Sequence, residues 1–223
     1  LKKLDNNSSL YANAAKSFKM PTFTQIYGGG GANFAANPLL EPEEGWTYEF
    51  GYKKTSNTSM FKTALYYMDL DTIEYEGKGT SSNPYVTRNM SFKNKGLEMT
   101  YEKDFGSKYS YSLGANFCNP MGKNKKGVWE RKFAREQYNA GIKYHDAKFN
   151  AALTGMFTTD RASGWGDLLP VNFIAGYKFD KSSSVELGVE NIFDRDDIVS
   201  NPGSATKYYC LPRMVHVTYT YTF

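Results

Sequence analysis

Few residues of this chain have the types and spacing that covalent chemistry needs. His145 and His216 stand far apart, and neither has the serine–aspartate or cysteine company of a nucleophile and base, so no enzyme is expected. Cys118 and Cys210 match no zinc or redox spacing. The acidic groups Glu41/Glu43/Glu44, Asp69/Asp71 and Asp194/Asp196/Asp197 offer oxygens of the kind Ca²⁺ prefers, yet none has EF-hand spacing. Gly28–Gly31 are followed by Ala32, Asn33 and Phe34, not by the Lys-Ser/Thr of a phosphate loop, and read as a flexible loop stretch. The preceding PTFTQIY fits one helical turn capped by Thr22 or Thr24. No cofactor or metal site is expected. Recognition chemistry remains: Tyr27, Tyr85, Arg88, Trp129, Arg131, Arg161, Trp165 and Tyr208 stand in polar, loop-like segments. A guanidinium pairs with carboxylate or catecholate oxygens, and aromatic rings stack on flat ligands.

The segments that must position these residues alternate with a period of two, the side-chain period of a β-strand. The chain ends RMVHVTYTYTF, which sets Val215, Val217, Tyr219, Tyr221 and Phe223 against His216, Thr218, Thr220 and Thr222. GWTYEFGYK sets Trp46, Tyr48, Phe50 and Tyr52 against Thr47, Glu49, Gly51 and Lys53. The pattern recurs in GLEMTYE, YSYSLGANF, QYNAGIKYH, FNAALTGMF, VNFIAGYKF and SVELGVE, and more weakly in SLYANAAKSF. In MFKTALYYMDLDTI both faces carry apolar residues and the pattern gives no orientation. About ten strands of roughly 8–14 residues result, close to the ~9–11 that cross a tilted barrel wall.

Connections alternate in length. Short polar turns are expected at 53–59, 102–108, 145–148 and 180–184, and long loops at 19–45, 71–84, 118–130, 158–168 and 194–207. That rhythm is what an antiparallel up-and-down barrel with one elaborate rim produces. The apolar faces are rich in tyrosine, phenylalanine and tryptophan, while Glu49, Glu98, Lys143, Glu186 and Glu190 all keep to the other face. A lipid-facing outside and a wet lumen account for this, and a last strand ending on bare Phe223 then needs no polar tail. Its free edge must pair with the first strand of a closed barrel, because lipid satisfies no backbone N–H or C=O. A soluble all-β module is the alternative; its apolar face would be a core.

Composition agrees. The 223 residues are 16% aromatic, which favours strands. No run of about 18 apolar residues is present, so no transmembrane helix is expected, and no signal peptide is visible. A net charge of +4, scattered along the chain, does not indicate nucleic acid. Residues 1–223 read as part of a single domain.

Several segments together carry a resemblance. SLYANAAKSFKMPTFTQIYG, NPLLEPEEGWTYEFGYK, NKGLEMTYE, LGVENIFDRD and LPRMVHVTYTYTF follow in order. They resemble the C-terminal half of the barrel of TonB-dependent outer-membrane receptors. The most specific parts are Asn37-Pro38 with Glu41-Pro42-Glu43, Gly96-Leu97-Glu98, and Val189-Glu190-Asn191-Ile192-Phe193-Asp194.

The resemblance implies a 22-stranded barrel, of which about ten strands are here and the plug is not. It implies import of a scarce metal chelate, a ferric siderophore above all, across the bacterial outer membrane. The partners it implies are a TonB-type energy-coupling protein, acting through the N-terminal region, and outer-membrane lipid with lipopolysaccharide. The C-terminus would lie at the periplasmic side. Tyr27, Arg88, Trp129, Arg131, Arg161, Trp165 and Tyr208 become substrate-loop candidates. The competing assignment makes them interfacial belt, or loop cations facing lipopolysaccharide and water.

A passive pore, a free-standing small barrel and an importer of haem or another nutrient are the alternatives. Haem importers of the family resemble Phe-Arg-Ala-Pro, a loop histidine, then Asn-Pro-Asn-Leu. Here Phe18-Lys19-Met20-Pro21 and Asn37-Pro38-Leu39-Leu40 have no histidine between them, which leaves Tyr27 as an oxygen ligand. Cys118 and Cys210 fall five strands apart, about 24 Å at roughly 4.8 Å per strand, too far for a direct disulfide.

Overall fold

The computed structural model describes residues 1–29, 33–161, 165–203 and 206–223, without the side chains of 201–203 and 206. The elements are β1 (Lys2–Lys3), β2 (Ser8–Lys19), α1 (Phe23–Tyr27), β3 (Glu43–Thr55), β4 (Ser59–Glu76), β5 (Val86–Phe105), β6 (Tyr109–Cys118) and β7 (Met121–Lys123). They continue with β8 (Trp129–Arg131), β9 (Glu136–His145), β10 (Phe149–Thr159), β11 (Val171–Lys178), β12 (Ser183–Glu190), β13 (Ile198–Gly203), β14 (Thr206–Tyr209) and β15 (Met214–Tyr221). The main sheet runs β1-β2-β3-β4-β5-β6-β9-β10-β11-β12-β15. Every neighbouring pair on that path is antiparallel.

Ten long strands thus form an up-and-down wall, as the alternation predicts. The expected closure is not seen: among the described residues β15 pairs only with β12, and the far edge of β2 only with Lys2–Lys3. The KKLDNNSS start holds the two-residue strand Lys2–Lys3, paired with Ser9 and Leu10 ahead of β2's long ladder.

Register assigns the faces. Leu10, Tyr52 and Thr63 line up across β2, β3 and β4, as do Ala12, Phe50 and Leu65 in the next row. The ambiguous MFKTALYYMDLDTI is thereby oriented, with Phe61, Leu65 and Tyr67 on the face of Tyr48 and Phe50. These apolar residues lie outside, not in a core. Phe50 is 54% exposed, Leu65 59%, Ile142 52% and Val217 66%, whereas Leu40 and Ala64 are the only buried hydrophobic side chains among the described residues. A soluble sandwich buries its apolar face, so this exposure favours the lipid-facing wall.

The opposite face is polar and carries a cross-strand device. Tyr11 crosses its partner Gly51, donates to Glu49 at 2.5 Å, and brings its ring 5.6 Å from the Lys62 Nζ. Tyr66 likewise crosses Gly96 to reach Asn116 at 3.0 Å. Asn139 lies over Gly114, Asn150 over Gly176 and His216 over Gly188, so His216 is a packing residue of the wall. A Cβ on any of these glycines would collide with the side chain lying over it.

One end of the wall has only short turns, most of them built alike. Asp146 Oδ1 accepts the amides of Lys148 at 2.9 Å and Phe149 at 2.8 Å. Asp180 does the same for Ser182 and Ser183, and Ser56 for Thr58 and Ser59. Asp5 accepts from the Asn7 amide and the Ser8 hydroxyl. The C-terminus lies at this end, where Thr222 N donates to Ser182 O at 2.9 Å.

Two amide donors, joined by the Tyr144 hydroxyl, hold the Asp146 carboxyl down at about 2, from 3.8. A depressed folded-state value stabilises above the unfolded value and fades as pH falls through the folded one. The contribution of this turn is therefore complete above about pH 4 and gone below about pH 2. Titration of the Asp146 carboxyl carbon by NMR is expected to show the low midpoint. A midpoint at 3.8 would remove the turn's role.

The largest departure from the expected strands is at the other end. β4 and β5 run to 18 and 20 residues, well beyond a membrane crossing. The sequence reading begins β5 at Gly96 because VTRNMSFKNK lacks a clean apolar face; here it extends the ladder as a polar hairpin, out to Glu76 opposite Val86. The expected loops 118–130 and 194–207 also hold small hairpins, β7–β8 and β13–β14.

Candidate functional site

The long-loop end holds all the candidate recognition residues. The connection from β2 to β3 is pinned onto the β4–β5 hairpin. Thr22 accepts the Gln25 amide and Gln25 Oε1 accepts the Thr22 amide, a capping box that starts α1 as PTFTQIY suggests. Gln25 then donates to the Tyr75 hydroxyl at 2.8 Å, and buried Thr87 donates to Gln25 O at 3.2 Å. Asn37 Nδ2 donates to Thr87 O at 2.8 Å, and Asn89 and Glu41 exchange bonds of 2.8 and 2.9 Å. Phe34, Tyr75 and Tyr85 cluster with ring centroids 5.2–6.5 Å apart. The Asn-Pro and Glu-Pro-Glu segments are therefore staples that hold a loop down. Tyr27 is left exposed on α1, with the Phe23 ring 4.6 Å away.

The second concentration joins β8, the end of β10 and the segment after it. Arg131 pairs with Asp160, and its Nη2 donates to Arg161 O at 2.7 Å. The Arg161 guanidinium lies 5.1 Å from the Trp165 ring centroid and donates to Gly166 O and Val199 O at 3.3 and 3.5 Å. Among the described residues no carboxylate lies within ion-pair distance of Arg161, whereas Arg131 has Asp160 and Arg88 has Glu76 at 3.3 Å. Arg131, Arg161 and Trp165 are thus brought together. Tyr27, Arg88 and Tyr208 stand apart, Arg88 within β5 and Tyr208 exposed in β14, in strands and not in the loops expected.

Trp129 and Arg131 also lie in a strand, and register puts them on an unexpected face. Trp46 is opposite Asp69, Asp69 opposite Lys93, Lys93 opposite Met121, and Met121 opposite Arg131. That row shares the outer face with Tyr48, Tyr67 and Leu65. Residues 162–164, between Arg161 and Trp165, lie outside the described residues, as do 30 and 31 of the glycine run and 32 after it.

Sequence reasoning misses a triad that joins the two outer hairpins. Lys132 Nζ lies 2.9 Å from Glu74 and 3.1 Å from Glu130. Partial burial works against the charged ammonium, but the two carboxylates outweigh it and raise the Lys132 pKa. No local signal links Glu74 to Lys132, 58 residues away in the chain.

The acidic run at 194–197 is also committed. Asp197 is held below the usual carboxylate range by Arg195, against partial burial, and accepts the Leu169 amide at 2.8 Å. Asp194 accepts the Arg213 amide at 2.8 Å. No group of three or more metal-ligating side chains gathers among the described residues. Both cysteines are free thiols, Cys118 donating to Ala134 O at 3.4 Å.

Residues 2–192 match the family model described as TonB dependent receptor-like, beta-barrel. Three solved structures share the fold. The copper transporter OprC is 12% identical with a TM-score of 0.78, over 99% of this chain and 38% of its own. The ferric enterobactin receptor of Pseudomonas aeruginosa, in complex with enterobactin, is 17% identical with a TM-score of 0.76, over 99% and 39%. The ferric-catecholate import receptor Fiu of E. coli K12 is 19% identical with a TM-score of 0.70, over 99% and 34%. The chain thus spans between a third and two fifths of their length.

Proposed function

Since this chain belongs to the TonB-dependent receptor β-barrel family, we propose that it forms the C-terminal part of the wall of an outer-membrane importer of a metal chelate, a ferric siderophore. Barrels of this family are proteins of the bacterial outer membrane, and their members are receptors and transporters. In this reading residues 1–223 belong to one barrel domain. The short-turn end and Phe223 face the periplasm, the long loops face outward, and a TonB-type protein acts on the complete receptor. Lipid and lipopolysaccharide cover the apolar face.

The observation that carries the substrate class is Arg161. It is a cation with no carboxylate in ion-pair distance among the described residues, set against an indole ring, and therefore able to accept an anionic, aromatic chelate. Two relatives whose names specify ferric catecholate and ferric enterobactin support the same class.

The test is uptake of radio-iron catecholate by cells whose only such receptor is the complete polypeptide. Uptake that stops when the proton-motive force is collapsed supports the importer. Uptake indifferent to that force means a passive pore. Arg161→Ala is expected to weaken chelate binding roughly tenfold, the scale of one charge-assisted contact. Binding of copper in place of the ferric chelate would overturn the iron assignment.

A further inference from the structure

The two ends of the wall treat their charges differently. At the long-loop end ion pairs are frequent: Lys16 meets Glu44, Lys19 meets Glu43 and Arg195 meets Asp197. The five short turns, with up to three strand residues on either side, hold ten lysines and four aspartates, a larger positive excess than the +4 of the whole chain. Among the described residues one ion pair forms there, Lys108 with Asp146 at 4.0 Å. Asp5, Asp146 and Asp180 are committed to the amides of their own turns. Lys148, Lys178 and Lys181 are exposed, have no carboxylate within ion-pair distance among the described residues, and line one cleft of about 500 Å³ with Thr220 and Thr222.

Register turns this cleft away from lipid. Lys178 pairs with Ser184 and Ser184 with Thr220, while Tyr177, Val185 and Tyr219 form the neighbouring row on the apolar face. Lys148 stands one residue ahead of Phe149, which pairs with Tyr177 on that apolar face. Lys108, Lys148 and Lys181 fall one to a turn in three successive turns. Such turns are two strands apart, roughly 10 Å at about 4.8 Å per strand. A row of free cations at the end of the wall fits a partner that lies beyond the barrel and carries anions at regular intervals. We propose that Lys148, Lys178 and Lys181 dock the barrel on peptidoglycan, taking the carboxylates of its peptide stems at the cleft, with Lys108 extending the contact to the next turn. Each ammonium meets a carboxylate as a charge-assisted donor, and contacts that are weak singly add up along a polymer that engages several turns at once. This rests on the reading that the short-turn end faces the periplasm, and adds a partner there.

The experiment uses the full-length protein in detergent, sedimented with purified peptidoglycan sacculi at low salt. The triple variant Lys148→Gln/Lys178→Gln/Lys181→Gln is expected to bind sacculi roughly tenfold more weakly than wild type, the scale of three exposed charge contacts. Added salt should remove the difference. Sacculi whose carboxylates have been converted to amides should bind both proteins equally weakly. Equal binding of untreated sacculi by both proteins would overturn the proposal. So would lysine-dependent binding of anionic phospholipid vesicles at the strength of the sacculi, which would mean a membrane contact. Protection of the three lysines from acylation in the full-length protein without sacculi would also overturn it, because another part of the polypeptide would then cover them. Ferric-catecholate uptake by the variant is expected at the wild-type level. Uptake by the wild type reports on the importer reading separately, so the two can fail independently.

Discussion

Asn191→Ala is expected to lower the unfolding free energy by about 3–5 kcal/mol, from three lost hydrogen bonds at ~1 kcal/mol each and a strained backbone. Asn191 is buried where β12 ends. Its Nδ2 donates to Arg195 O and Leu211 O, both at 2.8 Å, and its Oδ1 accepts the Arg195 amide at 3.1 Å. One side chain therefore ties the start of the long connection to its end, just before β15. Its φ of 48° lies in the left-handed region, which asparagine tolerates and alanine does not. Asn191→Gly is the informative companion: it relieves the backbone and keeps the hydrogen-bond deficit, so its loss should be nearer 3 kcal/mol. Urea unfolding of the full-length protein in lipid reads both. A wild-type midpoint for Asn191→Ala would show that the connection holds without it.

Gly96→Val should cost about 1–3 kcal/mol, the range for forcing atoms into a filled site. A Cβ on Gly96 would come within 2.5 Å of the Phe117 carbonyl oxygen and of the Tyr66 ring. The tyrosine can swing away, at the loss of its bond to Asn116, but the carbonyl belongs to the β5–β6 ladder and cannot. Tyr66→Ala should therefore restore only part of the loss when combined with Gly96→Val. Additive effects in that double variant would mean that the two side chains do not share the space.

Both predictions fall on the segments that carried the family resemblance, which clarifies what those segments encode. Asn191, Asp194 and Arg213 fasten the last long loop; Asn37 and Glu41 fasten the first; Gly96 leaves room for a crossing tyrosine. They mark the architecture and not the ligand. The strands themselves were legible wherever a wall has lipid on one side and water on the other, because that contrast writes a period of two.

The pattern fades where the contrast ends. In residues 86–95 both faces carry polar side chains, so the outer half of β5 carried no signal, and the two small hairpins likewise read as loop. The candidate site was legible as a list of residue types but not as a place. Trp129 and Arg131 turn to the outer face through a ladder that begins at Trp46 four strands away, and Arg161 is distinguished by the Trp165 ring beside it and by the lack of a neighbouring carboxylate among the described residues. Both are properties of pairing between distant segments, which no local window contains.

The short-turn end also dictates an order of assembly. β3–β4, β5–β6, β9–β10 and β11–β12 are each closed by three or four residues, and the polar atoms that fix most of those turns belong to the turns themselves. Joining β2 to β3 must instead close the loop 20–42, and joining β12 to β15 the segment 191–213. By loop-closure entropy each costs roughly 2 kcal/mol more than a tight hairpin. Hairpins are thus the natural units in which this wall is laid down, and the long loops are the seams between them. A protease that cuts a seam breaks the chain between two hairpins and leaves the ladder that pairs them in place.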